Sequence, residues 1–234
     1  MRANSDTQTI LYSYINIHSH KKNTDSAVFL LRNADISELD NMHADEYYSL
    51  GFHPWFITAD SLYQLEIFKE AVIKKSTVYA IGECGLDRNI SVDFALQQAV
   101  FSAQINIANE VKLPLVVHCV RAFYEVISEL KKEKNKMPVI YHGYNNSIKI
   151  ANTLIEFNGY LSFGKSLLQP ANNTAEVFKQ VPLSRIFLEN DESELTIQRI
   201  YERAAELKNM TVTELQETIQ TNFENINTKW TNLG

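Results

Sequence analysis

Ile15-Asn16-Ile17-His18-Ser19-His20 closes the first apolar run of the chain and places two histidines at i and i+2. On an extended strand the side-chain period is two, so both imidazoles point to one side and can reach the same ion. Two nearby histidines are otherwise ordinary solvated residues, and a pair supplies only part of the ligand set a metal site requires. The reading of the fold therefore turns on whether the ends of other strands bring more ligands.

The chain has 234 residues, 45% apolar and 21% charged, with a net charge of −6. That length suits one large domain over residues 1–234, and α/β barrels routinely reach it. An acidic balance argues against a broad groove for long nucleic acid, although a local pocket can still hold a phosphate. Two cysteines exclude a disulfide framework and point to a reducing compartment. The first ten residues lack the apolar core of a signal peptide, and no uncharged run is long enough to span a bilayer. The expectation is a cytoplasmic protein with no membrane contact and no evident protein partner.

Short apolar runs recur along the chain, several of them followed by longer helical patterns. Strands are expected over 12–17, 27–31, 47–51, 78–82, 115–118, 139–142, 160–163 and 186–189. Helix-period segments are expected over 91–111, 123–134 and 148–158, and after the last strand over 194–208 and 212–230. Strands alternating with helices imply parallel pairing, and eight units close into a TIM-like (β/α)8 barrel. The stretch between His20 and Val28 is too short for a crossover helix, and the next connection is polar, so the first βα unit is expected to be shortened and that side of the barrel open.

Barrels of this type assemble their active sites from the C-terminal ends of several strands. Here those ends carry His18 and His20, the run Gly82-Glu83-Cys84-Gly85-Leu86-Asp87, His118, His142, and Glu189-Asn190-Asp191. Four of the six histidines in the chain occupy these positions and a fifth, His53, follows the third strand. A mixed imidazole and carboxylate set suits zinc, manganese, iron or magnesium, and six such residues exceed what one ion usually takes. Two ions are plausible, with Glu83 as a bridge and Asp191 placed to take a proton from water.

The ordered motifs His18-x-His20, Gly82-Glu83-x-Gly85-Leu86-Asp87, Pro114 to His118, His142-Gly143 and Leu188-Glu189-x-Asp191 resemble the TatD family of metal-dependent hydrolases. The helix signature Gln97-x-x-x-Phe101-x-x-Gln104 belongs to the same resemblance, which runs from about Tyr12 to Trp230. It implies a TIM-like barrel and one or two divalent cations (Zn, Mn or Mg). The ligands it implies are His18, His20, Glu83, His118, His142 and Asp191, with Glu83 and Asp191 catalytic. It also implies phosphodiester cleavage of the deoxyribonuclease type. The expected partner is a small or single-stranded phosphate ester, a DNA end among the candidates. The competing readings are amidohydrolase-type cleavage of an amide or ester, and a non-catalytic metal-binding relative.

Three features depart from the family pattern. Asn16 stands where the family usually has Asp, and so lacks the charge that would orient a ligating histidine. Val120 stands where a basic residue is common, with Arg121 next to it. After Asp191 the chain enters Glu192-Ser193-Glu194 without a Pro- and Arg-containing loop. Arg121, Lys165 and His53 are candidate substrate contacts, each also explicable as a solvated or structural residue. Phe52, Trp55 and Phe56 read first as packing residues and second as a surface for stacking a base. Cys84 and Cys119 adjoin candidate ligands, yet neighbours on a strand point opposite ways, so packing is their reading.

Overall fold

A computed structural model describes residues 12–170 and 173–226. Eight parallel strands, β1 (Tyr14–Ser19), β2 (Val28–Asp35), β3 (Tyr47–Gly51), β4 (Val78–Asp87), β5 (Leu115–Val120), β6 (Val139–Tyr141), β7 (Gly159–Phe163) and β8 (Ile186–Leu188), form one sheet in sequence order. The sheet curls into a nearly closed (β/α)8-type barrel. Its seam is held where the backbone N–H of Asp191 donates to His18 O at 3.1 Å and Ser19 Oγ donates to Asp191 O at 3.0 Å. The barrel thus closes at the opening histidine stretch.

The strands are legible because both faces of a parallel sheet are covered, which makes them read as continuous apolar runs. All ten residues of β4 are buried. Their bounds shift where polar residues continue the strand: β2 extends to Asp35, and β4 runs past Gly82 to Asp87, so Glu83 lies within the strand and not beyond it. Helices α1 (Leu65–Lys74), α2 (Phe94–Val111), α3 (Phe123–Lys132), α4 (Ile148–Glu156) and α5 (Thr174–Gln180) fill the crossovers from β3 onward. Of these, α2, α3 and α4 match the helix-period segments named in the sequence, and α1 and α5 fill the two remaining crossovers. After β8 come α6 (Ile197–Lys208) and α7 (Val212–Ile226); the expected extension of the last helix to Trp230 lies outside the described residues.

The β1–β2 connection has no helix, and β2–β3 carries only a 3₁₀ segment, Ile36–Asn41, as the short polar connections implied. Aromatic packing holds this side. Phe29, Tyr47 and Tyr79, from three adjacent strands, are in ring contact at 4.8 and 4.9 Å, and α7 brings Phe223 to 4.6 Å from Phe29. Such pairs add roughly 0.5–1.5 kcal/mol each beyond their buried area. Among the described residues no helix is long and apolar enough to cross a membrane.

Helix α2 explains the glutamine signature. Residues 97, 101 and 104 lie on one helical face. Gln97 accepts from Asp87 N at 2.8 Å and donates to Asp87 O at 3.1 Å. Gln104 accepts from Phe52 N at 2.8 Å and donates to Phe52 O at 3.3 Å. Both amides are fully buried, so they fix the two strand ends that border the site.

Two glycines differ in what they permit. Gly85 has φ +133°, and a Cβ there would meet His118 O at 2.0 Å. Gly143 has φ +59°, in the left-handed region, with its nearest neighbour 3.9 Å away. Gly85→Ala combines a backbone clash with a conformation that side chains avoid, and should lose about 3 kcal/mol or more. Gly143→Ala meets only the left-handed penalty of about 1–2 kcal/mol. Urea denaturation of the two variants checks the ranking; equal losses would contradict it.

Candidate metal centre

Glu83 is buried at the centre of the pocket with five imidazoles around its carboxylate. Oε2 faces His18 Nε2 and His20 Nε2, each at 3.3 Å. Oε1 faces His142 Nε2 at 2.7 Å, and His53 Nε2 and His118 Nδ1 each at 3.0 Å. Asp191 joins the first side, its Oδ1 lying 3.7 Å from His18 and 3.6 Å from His20. The two oxygens of one carboxylate thus serve two separate groups of nitrogens.

The backbone positions this set. The Glu83 N–H donates to Asn33 Oδ1 at 2.8 Å. Asp191 has φ +51°, a left-handed conformation that Asp tolerates better than most residues, and its seam bonds to β1 hold it there. His142 follows β6, with its N–H donated to Val117 O.

Electrostatics bind the cluster together. Burial alone would raise the Glu83 pKa, but the charges of His142 and His18 and hydrogen bonds from His118 and His142 hold it well below the usual carboxylate range. Burial disfavours charge on His142, yet Glu83 and Glu189 hold its pKa well above the usual imidazole value. The cluster therefore demands positive charge, from protons or from a cation. The donor atoms suit a cation: His18, His20 and Glu83 form one group within 4.8 Å, His18, His142 and Asp191 a second, and His53, Glu83 and His118 a third. Both nitrogens of His18, Oε2 of Glu83 and Nδ1 of His142 are buried without a hydrogen-bond partner. Orphaned donors of this kind fit a divalent ion better than a satisfied polar core.

The sequence profile described as TatD related DNase matches residues 17–227. The chain belongs to this family. It is 32% identical over 185 residues to the protein named uncharacterized metal-dependent hydrolase YabD in Bacillus subtilis, an alignment covering 72% of each chain. The fold is similar to that of the TatD homologue YjjV of Escherichia coli, with TM-score 0.81 and 20% identity over 93% of this chain and 99% of that one. A TatD-family hydrolase of Entamoeba histolytica aligns with TM-score 0.75 and 15% identity, covering 92% and 98%. Metal-dependent hydrolysis is the activity this membership carries.

The six residues whose ligand role the TatD resemblance implies come together around Glu83, five lining the pocket and His18 fully buried behind it. His53 joins them: its Nδ1 accepts from Trp55 N at 3.1 Å, so its Nε2 carries the proton and donates to Glu83. Arg121 and Lys165 are exposed, and neither lines the pocket. Asn16 makes no hydrogen bond to His18; its amide exchanges bonds with Asn190, Nδ2 donating at 2.7 Å and Oδ1 accepting from Asn190 N at 3.2 Å. Cys84 is buried, its Sγ directed to Val116 O, in keeping with a packing role.

Three supporting residues carried no assigned role in the sequence reading. Asp87 Oδ2 takes hydrogen bonds from His118 Nε2 at 2.9 Å and Trp55 Nε1 at 2.8 Å, which holds the ring with its Nδ1 at 3.0 Å from Glu83 Oε1. Glu189 accepts from Gly143 N at 2.6 Å beside His142. Asn33 holds the Glu83 backbone. Asp87 and Glu189 stand inside quoted motifs, whereas Asn33, in the polar end of β2, gave no signal. Asp87→Ala leaves the N–H groups of His118 and Trp55 without this acceptor and should cost about 1–3 kcal/mol, with a change in Trp55 emission. Chemical denaturation followed by fluorescence checks both, and unchanged emission would show that the indole bond is not formed.

Proposed function

We propose that this TatD-family hydrolase cleaves a phosphodiester bond in a small or single-stranded substrate, DNA ends included. The observation that carries the reading is the division of Glu83 between two groups of nitrogens, which supports a two-ion site with Glu83 as the bridge. His18, His20 and Asp191 would hold one ion, and His118 and His142 the other. Divalent cations of the Zn, Mn or Mg type supply water activation and charge stabilisation at the reacting oxygens when bound.

The chain's own groups do the rest. Asp191, a third exposed at the pocket, is placed to take the proton from the attacking water. His53 donates to Glu83 and keeps its carboxylate oriented. Asp87 holds the His118 ring in one orientation. The cavity of about 280 Å³ falls near the lower end of the roughly 300–1,000 Å³ usual for ligand pockets. With Glu192 on its lining, it favours a short substrate over a long duplex. Free thiols at Cys84 and Cys119 fit a reducing, cytoplasmic setting.

A second reading, cleavage of an amide or ester, draws on the pocket lining, which among the described residues includes no Lys or Arg to meet a phosphate. Protein purified without chelator should carry at least one divalent ion per chain by elemental analysis. Glu83→Ala and Asp191→Ala should each lower turnover of bis(p-nitrophenyl) phosphate by at least about 10²-fold with unchanged circular dichroism. Turnover of an amide panel with none of phosphodiesters would establish the second reading instead. Wild-type protein that neither holds nor takes up a divalent ion would sink both.

A further inference from the structure

Trp55 is 55% exposed and Phe56 68%, and both line the pocket that holds Glu83. An exposed tryptophan on a loop ordinarily samples several rotamers. Trp55 is pinned instead, because its Nε1 donates to the buried carboxylate of Asp87 at 2.8 Å and its ring stands edge-on to His53 at 5.3 Å. Phe56 packs against the same imidazole at 5.5 Å. An indole held by its polar atom while its body stays bare has already lost the freedom that binding would otherwise remove. A nucleobase stacks on such a surface whatever its identity.

The rest of the outer pocket has the opposite character. Asp35, Glu38 and Glu192 line it, and among the described residues no cationic side chain does. Glu38 shares its charge with Arg32 at 2.8 Å, which leaves Asp35 and Glu192 as the stronger sources of negative potential. The single charge of a phosphodiester can be met beside the histidine cluster. A further phosphate on the same end would face carboxylates. The cavity, at about 280 Å³, has the size of a small-ligand site.

We infer that Trp55 and Phe56 form a stacking subsite for one nucleobase at an unphosphorylated end of the substrate, with Asp35 and Glu192 excluding an end that bears a terminal phosphate. This rests on the phosphodiesterase reading of the same pocket. The test uses metal-loaded protein and a dinucleoside monophosphate, its two counterparts lacking one base, and the form phosphorylated at the stacked end. Removing the stacked base should raise KM about tenfold. In Trp55→Ala and in Phe56→Ala that penalty should shrink toward unity. The terminal phosphate should raise KM several-fold at low salt, less at high salt, and less again in Glu192→Gln. A KM indifferent to both bases, or lower for the phosphorylated end, overturns the inference.

If no dinucleotide is turned over, the phosphodiesterase reading fails and the ring subsite is read separately by titrating adenosine. The chain has two tryptophans, so residual emission from Trp230 serves as the internal reference. Quenching in wild type that Trp55→Phe abolishes supports the aromatic subsite, and emission unchanged by adenosine in wild type refutes it.

Discussion

The buried carboxylate of Glu83 sets the terms for this protein. A lone carboxylate there would be driven to protonate, because the interior solvates its charge poorly. Five imidazoles, delivered by β1, the loop after β3, β5 and the turn after β6, reverse that preference. Each side of the barrel must therefore end at the right height to present one nitrogen. This requirement accounts for features that otherwise look unrelated: the glycines around Glu83 in β4, the left-handed Asp191, and the seam between β1 and β8 that closes at His18.

A second layer keeps the imidazoles in place. Asp87 bonds His118, Glu189 lies beside His142, and His53 is fixed by the backbone of Trp55. Behind them the glutamines of α2 clamp Phe52 and Asp87, so a helix on the outside of the barrel determines where the loop after β3 and the end of β4 can lie. The polar groups in this layer are mostly buried and mutually paired, which is the condition under which buried polar networks rigidify a site. Four buried atoms without a hydrogen-bond partner lie at the centre, on His18, Glu83 and His142, and Oε2 of Glu189 is another beside them.

Asn16 illustrates how a substitution in a motif is absorbed. Read against the TatD pattern, it appeared as a lost charge beside the ligating histidines. In the folded chain its amide pairs reciprocally with Asn190, an arrangement in which a carboxylate could accept but not donate. The residue serves the closure of the barrel. The side lacking its first crossover helices is in turn held by the ring cluster of Phe29, Tyr47, Tyr79 and Phe223.

The eight strands, their parallel order and the ligand-type residues at their ends were legible in the apolar runs, and the family resemblance narrowed those residues to six. Strands buried on both faces must be apolar throughout, and a site built at strand ends must carry its polar residues at the end of each apolar run. The shortened connections were equally legible, since a helix needs a minimum length of chain. Only the tertiary structure decided that Glu83 splits its oxygens between two groups, that Asp87 and Glu189 stand behind the imidazoles, and that Trp55 is pinned with its face bare while Phe52 is buried. Those outcomes depend on distances between residues far apart in the chain. Asn33 and Glu83, fifty positions apart, share a hydrogen bond that no spacing along the sequence encodes.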